Sequence, residues 1–250
     1  LNRNDRLKLR RHPMFRTLGE HALDGLLDGA EMVVLGQNAR VLTQGDKVGA
    51  LFVVLEGAIE LSIMRDGDEA TMAIVRPVDF FVLASCLHDA PSPFTARTLA
   101  PARIVRVQAA SVQALCEEDH GFALAVIDEL AGCFHNLVQH ATSLKLDTVR
   151  QRLAAYLLRL SQRGGQEAGF TLPAEKRVLA SYLGMTPETL SRMLRSLRDA
   201  GVLVEGQNVR LTDPTALALA AGEAAATKAP VPAHPPQSAE TSGASSRHAG

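Results

Sequence analysis

From Gly121 to Leu146 the chain runs for roughly seven helical turns without a proline and with apolar residues at helical spacing. Phe122, Val126, Leu130, Cys133, Leu137, Ala141, Leu144 and Thr148 follow one another at intervals of 4, 4, 3, 4, 4, 3 and 4, close to a heptad seam. A second apolar line passes through Ala123, Ile127, Phe134 and Val138. Two covers satisfy such a helix. One face lies on its own domain and the other meets a partner helix, or the whole helix packs within one domain. The first arrangement puts a dimer seam at Leu130, Leu137 and Leu144.

Everything before this helix reads differently. Residues 1–31 form short helices, "RLKLRRHPMFRTL" and "EHALDGLLDGA". From Met32 to Val107 the runs "MVVL", "ARVLTQ", "ALFVVLEG", "AIELSIM", "EATMAIV", "FTARTLA" and "ARIVRV" are β-branched and short, with turn signals between them. The Asp-Gly pair in "RDGDE" (65–69) predicts a tight hairpin. Many short strands at this spacing imply a barrel-like roll. "SVQALCEE" then gives a short helix leading into the long one.

After the long helix comes an amphipathic segment, "DTVRQRLAAYLLRLSQR", stopped by Gly164-Gly165. The stretch 170–213 reads as strand, helix, tight turn, helix and hairpin. The turn is Gly184-Met185-Thr186-Pro187, where Thr186 suits a helix N-cap and Pro187 the first helical position. Gly201 suits the stop. From about Ala220 the chain turns Ala-, Pro- and Ser-rich, which predicts a disordered tail over 221–250.

Two helices joined by a short Gly-containing turn form the helix-turn-helix pattern, whose second helix enters the DNA major groove. In "TPETLSRMLRSLRDAGV" (186–202), Leu190, Met193, Leu194 and Leu197 lie on the side opposite the polar residues and are expected to bury. Glu188, Ser191 and Arg192 are left to read base edges. Arg bonds guanine O6 and N7 with two N–H groups, and Glu accepts from cytosine N4–H. Thr186, Thr189, Arg195 and Arg198 are placed to reach phosphates. The competing reading is a solvated face with one Glu–Arg pair worth only about 0.2–0.5 kcal/mol.

Charge supports the DNA reading. Residues 1–144 hold 13 Lys and Arg against 18 Asp and Glu, a net of −5; residues 145–210 hold 11 against 6, a net of +5. An acidic part joined to a basic part predicts one anionic partner and one separate function. Cys86, Cys116 and Cys133 are odd in number and far apart, so neither a disulfide framework nor a CxxC metal pair is indicated. No uninterrupted apolar run suggests a membrane span and no signal-peptide pattern is seen, so a cytoplasmic protein with no membrane partner is expected. The chain begins with Leu1, which leaves its natural N-terminus open. No Ser/His/Asp set, phosphate loop or paired carboxylates stand at a catalytic spacing, so no enzyme is expected.

The order of β roll, long helix and helix-turn-helix with hairpin resembles the CRP/FNR family of bacterial transcription regulators over roughly residues 10–213. The likeness is carried by "VLTQGDKVGALFVVLEGAIELS" (41–62), "TVRQRLAAYLL" (148–158) and "LASYLGMTPETLSRMLRSLRDAGVL" (179–203). The E-x-x-S-R of Glu188, Ser191 and Arg192 is similar to the FNR branch; the cyclic-AMP branch carries Arg before its Glu. The resemblance implies an α+β chain with a cyclic-nucleotide-binding-like jelly roll over 1–120, a dimerisation helix over 121–147 and a winged helix-turn-helix over 148–213. It also implies a homodimer on a TTGAT-N4-ATCAA-like palindrome, RNA polymerase as a further partner, and control of nitrogen-oxide or low-oxygen metabolism. A receptor that signals through protein contacts, with DNA binding lost, is the rival reading.

The sensor residues depart from the family's nucleotide pattern. Phe81-Val82-Leu83 stands where cyclic-AMP binders have Phe-Gly-Glu, and Phe94-Thr95 where they have Arg-Thr. Phosphate would lose its charge-assisted contact, so cyclic AMP is not expected. An apolar effector wall of Phe80, Phe81, Leu83 and Phe94, with Arg97 near it, is expected instead. Residues 1–85 contain no cysteine, which leaves no four-Cys iron–sulfur site. Haem stays open as a cofactor, with His12, His21, His88, His120, His135, His140 and Cys86 as candidate ligands and His88 and Cys86 foremost. Cys133 is expected in core packing.

Overall fold

The computed structural model describes residues 1–163 and 169–222. Three short helices, α1 (Arg3–Leu9), α2 (Pro13–Arg16) and α3 (Glu20–Leu27), precede eight strands: β1 (Glu31–Leu35), β2 (Arg40–Leu42), β3 (Ala50–Glu56), β4 (Ile59–Arg65), β5 (Asp68–Val75), β6 (Asp79–Phe81), β7 (Thr95–Thr98) and β8 (Ala102–Gln108). Helix α4 (Leu83–His88) lies between β6 and β7. The strands make two antiparallel sheets, ordered β1-β8-β3-β6 and β2-β7-β4-β5, which is the expected roll. Strand β3 has partners on both edges and is buried along nearly its whole length, hence its unbroken "ALFVVL". Strand β6 was not legible in the sequence. It pairs Phe52 with Phe81 and Val53 with Phe80.

The hairpin at 65–69 forms as its Asp-Gly pair predicts. Arg65 and Asp68 face each other, and Asp66 and Gly67 take φ of 53° and 89°, the left-handed pair of a type I′ turn. Gly57 is the tightest turn of the roll. At φ 85° its missing Cβ would stand 2.5 Å from the Pro101 carbonyl oxygen.

Helix α5 (Ala109–Glu118) leads into the long helix α6 (His120–Leu146). Phe122 and Val126 are buried in the roll's core and Leu130 packs against it. That face therefore covers the chain's own sensor unit, and Leu130 at its end is half-buried. The opposite face is bare: Leu124, Ile127, Phe134 and Val138 are 49%, 58%, 68% and 46% exposed. With Ala131 and Ala141, both also exposed, they recur at intervals of 3, 4, 3, 4 and 3. That is an a/d seam of period 3.5. Leu137 is 57% exposed and flanks it, while Leu144 lies against the Gly184 turn. Cys133 is exposed as well, not part of the core. By length and composition alone α6 is apolar enough to cross a membrane, although Asp128 and Glu129 interrupt its apolar run.

Helix α7 (Val149–Arg163), β9 (Gly169–Thr171), α8 (Lys176–Tyr182), α9 (Pro187–Ser196), a 3-10 turn (Leu197–Ala200), β10 (Val202–Glu205) and β11 (Asn208–Leu211) follow. The three strands form one antiparallel sheet in the order β10-β11-β9. They share a second core with α7 and α9, built on Leu153, Leu157, Leu179, Leu190 and Leu197. A further helix, α10 (Pro214–Ala221), packs back on α7 and buries Leu217 and Ala221. The sequence reading stopped the winged unit at 213 and missed it. The rest of the expected tail, from 223, lies outside the described residues.

Candidate nucleic-acid interface

Local hydrogen bonds shape the turn between α8 and α9. Gly184 at φ 63° ends α8, with Gly184 N–H donating to the Ser181 carbonyl and Met185 N–H to that of Ala180, both at 3.0 Å. This crossed pair is the Schellman stop, and only glycine enters it without strain. Two residues later the Thr186 hydroxyl accepts from Thr189 N–H at 3.2 Å, and Pro187 opens α9. Stop and start lie close together, and α8 and α9 pack on each other.

One residue that sequence reasoning missed fastens this turn. Arg152 on α7 is buried among apolar neighbours. Its Nε donates to the Leu183 carbonyl at 2.9 Å, Nη2 to Gly184 at 3.1 Å and Nη1 to Asp147 at 2.7 Å. It satisfies carbonyls that α8 leaves open at its C-terminus and sets a cation at the negative end of that helix. The second arginine of "VRQRLAAYLL", directly before an apolar run, was the available signal.

Helix α9 divides as expected. Leu190 and Leu194 are buried, and Leu197 just beyond is buried too. Glu188, Arg192 and Arg195 are exposed, with Ser191 and Thr189 half-buried beside them. Glu188 and Arg192 make no ion pair with each other, so the pairing that the competing reading requires is not formed. The Glu188 carboxyl is held below its ordinary value by its own backbone N–H and the Thr186 hydroxyl at the helix start, and is thus a ready acceptor. Arg195 Nε bonds the Ser191 carbonyl at 3.3 Å. Arg198 lies beyond α9, in the 3-10 turn, and is exposed.

The first helix of the pair, α8, touches the sensor unit. Thr71 N–H on β5 donates to Ser181 Oγ at 2.9 Å, and Tyr182 stacks on His140 of α6 at 4.8 Å.

The expected effector wall is not one surface. Phe80 and Phe81 alternate on β6: Phe80 meets His12 at 5.0 Å on the side of α2, while Phe81 stacks on Phe52 at 5.1 Å. Leu83 is buried in the core and Phe94 packs against it. Arg97 pairs with Glu60 at 2.8 Å across β7 and β4. Because Ile59 and Leu61 face the core, Glu60 and Arg97 point away from the interior, so Arg97 does not line it. The haem candidates do not converge either. Cys86 is fully buried and burial pushes its thiol up to about 11, which opposes a thiolate ligand, whereas His88 is exposed. The His12 Nδ1 already accepts from Met14 N–H at 3.3 Å. Among the described residues, no three His, Cys, Asp or Glu are grouped to hold a metal.

Comparison with known proteins agrees with this geometry. A family model described as a Crp-like helix-turn-helix domain matches residues 151–220, and one described as a cyclic nucleotide-binding domain matches 32–119. The fumarate and nitrate reduction regulatory protein of Yersinia pestis is 29% identical over 230 residues, covering 82% of this chain and 85% of that protein. The cyclic AMP receptor protein of Thermus thermophilus is 28% identical over 226 residues, covering 83% and 98%. The structure of FixK2 from Bradyrhizobium japonicum superposes with a TM-score of 0.70 at 23% identity, over 75% of this chain and 95% of that one, and shares its fold. Jelly roll, long helix and a helix-turn-helix with a free polar face make this chain a member of the CRP/FNR family of transcription regulators.

Proposed function

We propose that two copies of the chain pair along α6 and read a TTGAT-N4-ATCAA-like palindrome through Glu188, Ser191 and Arg192. Glu188 and Arg192, solvent-facing and in no ion pair among the described residues, on a helix whose opposite side buries Leu190 and Leu194, carry this reading. Thr186, Thr189, Arg195 and Arg198 serve the phosphates. Pairing follows from the exposed seam through Leu124, Ile127, Phe134 and Val138, with Leu137 and Leu144 on its flank. In a membrane instead, Asp128 and Glu129 would enter the hydrocarbon near mid-helix, an Asp there costing about 2.5–3.5 kcal/mol, so a partner helix is the better cover. Two-fold pairing also serves the reading, because recognition helices on one palindrome must stand about 34 Å apart. RNA polymerase is the further partner. Control of low-oxygen or nitrogen-oxide metabolism draws support from the fumarate and nitrate reduction relatives. The rival, a receptor without DNA binding, leaves the free polar face of α9 without a purpose.

Arg192→Ala tests the reading. On a matched duplex it should weaken binding by about 1–3 kcal/mol and relax preference at the contacted guanine, whereas Arg195→Ala should weaken every duplex alike and reduce the salt slope by about one. Titrations on matched and single-mismatch duplexes at two salt concentrations measure both. Equal loss on every duplex for Arg192→Ala would remove it from base reading, and no binding by the native chain to any duplex would favour the rival.

A further inference from the structure

Within the roll lies a cavity of about 300 Å³, between the face of the first sheet and the edge strand β2 of the second. Val33, Phe52 and Ile104 form part of its floor. They share one face of the sheet, since Val33 opposes Ile104 in the β1–β8 register and Phe52 opposes Arg106 in the β3–β8 register. On β2, three consecutive residues line the cavity: Arg40, Val41 and Leu42. A regular strand would offer alternate residues only. The register of β2 against β7 slips between Arg40 and Leu42, and such a bulge re-aims side chains.

Arg40, Lys47 and Arg106 supply the only polar side chains of the lining, which contains neither a carboxylate nor a neutral polar group. Lys47 meets Asp89 at 3.3 Å and Arg106 meets Glu31 at 3.1 Å, all four largely in solvent. Such surface pairs contribute little and yield readily to another anion. Arg40 is exposed and pairs with no acid among the described residues. An apolar floor under three cations suits a ligand with an apolar body and one anionic head. The volume is at the lower end of ligand pockets, and a nucleotide base and ribose would find no neutral polar side chain here.

We propose that this cavity binds a small carboxylate with an apolar body, its head against Arg40. It stands apart from the Phe80–Phe94 wall. Its floor nevertheless reaches that wall, because Phe52 stacks on Phe81, just ahead of α4, and α4 packs on α5 and α5 on α6. A ligand that shifts Phe52 is thereby linked to the long helix.

Octanoate is the probe, with octan-1-ol and octylamine as neutral and cationic counterparts, titrated calorimetrically into the full chain. Methyl NMR locates the binding. Octanoate should bind one site per chain, about tenfold more tightly than octanol, as a charge-assisted hydrogen bond allows, and octylamine should not bind. Shifts should centre on Val33, Leu42 and Ile104. Arg40→Gln should lower octanoate to the level of octanol. Gly49→Leu, at a lining position where an added Cβ meets no atom within 4 Å, should block entry without loss of fold by circular dichroism. Equal binding of octanol and octanoate, unchanged binding by Arg40→Gln, or shifts centred on Leu83 would each overturn the assignment.

Discussion

Replacing Arg152 with leucine should loosen the helix-turn-helix more than its single position suggests. The guanidinium donates to three carbonyls, of Leu183, Gly184 and Asp147, and among the described residues no acid neutralises it. A buried carbonyl left without a donor costs about 1–3 kcal/mol, so three would sum to about 3–9. Two reductions apply. Gly184 is exposed and Asp147 half-buried, so water can reach both carbonyls. Removing the cation also recovers its desolvation. The lower end, about 3 kcal/mol, is the expected loss. The chain has no Trp and only two Tyr; Tyr156 lies in the second core and Tyr182 packs against it, so tyrosine fluorescence during urea unfolding reports on this unit alone. Arg152→Lys should recover little, because one ammonium cannot repeat a planar fork. A shift below about 0.5 kcal/mol for Arg152→Leu, or full rescue by lysine, would refute the claim that the fork holds the turn.

Other perturbations separate the remaining parts. Gly57→Ala should destabilise the roll by more than about 2 kcal/mol in chemical denaturation, because φ is 85° and the new Cβ would stand 2.5 Å from the Pro101 oxygen. Burial, with Asp79 and Asp128 adding to it, pushes the Glu129 carboxyl from 4.5 up to about 7. The fold therefore favours the neutral form, and this contribution is whole below pH 4.5 and lost as pH rises through about 7. His12, lowered by burial to about 4, runs the other way: its contribution is whole above 6.5 and lost as pH falls through about 4. Glu129→Gln should thus raise the thermal midpoint more at pH 8 than at pH 5, and an equal effect at both would count against a buried neutral Glu129. Phe134→Glu should turn a dimer into a monomer in sedimentation, since burial of Phe134 contributes about 1.5–3 kcal/mol in each copy.

Local signals were legible where they are complete in sequence. Asp66-Gly67 gives its own turn, and Gly184, Thr186 and Pro187 give the stop, cap and start of a helix pair without distant help. The division of α9 into Leu190, Leu194 and Leu197 against Glu188 and Arg192 was legible for the same reason. What depends on pairing was not. Strand β6 is three residues long and exists because β3 offers it an edge. Phe80 and Phe81 read as one apolar wall until alternation sends them to opposite sides. Arg97 reads as a free cation until the register sets it across from Glu60. Helix α10 lies in an alanine-rich stretch whose composition suggests a tail, and only contact with α7 gives Leu217 and Ala221 something to bury against.

The seam of α6 shows this limit most clearly. The line through Phe122, Val126 and Leu130 is as apolar as the line through Leu124, Ile127, Phe134 and Val138. Both satisfy helical spacing, so period alone cannot say which stripe the roll covers and which it leaves bare. Docking decides it. Once Phe122 and Val126 enter the core, the face that remains repeats at 3, 4, 3, 4 and 3 and stays in solvent. A roll that can cover only one stripe of this helix leaves the other with no cover inside the chain. Leu130 ends the line that the roll covers, and Leu137 and Leu144 follow it at steps of seven along the edge of the bare stripe, which is why one packs on the roll, one stays open and one meets the turn beside Gly184. The line chosen from sequence thus traces the border of the bare stripe. Its last member touches the turn beside Gly184, so the bare stripe and the placement of α8 share a boundary.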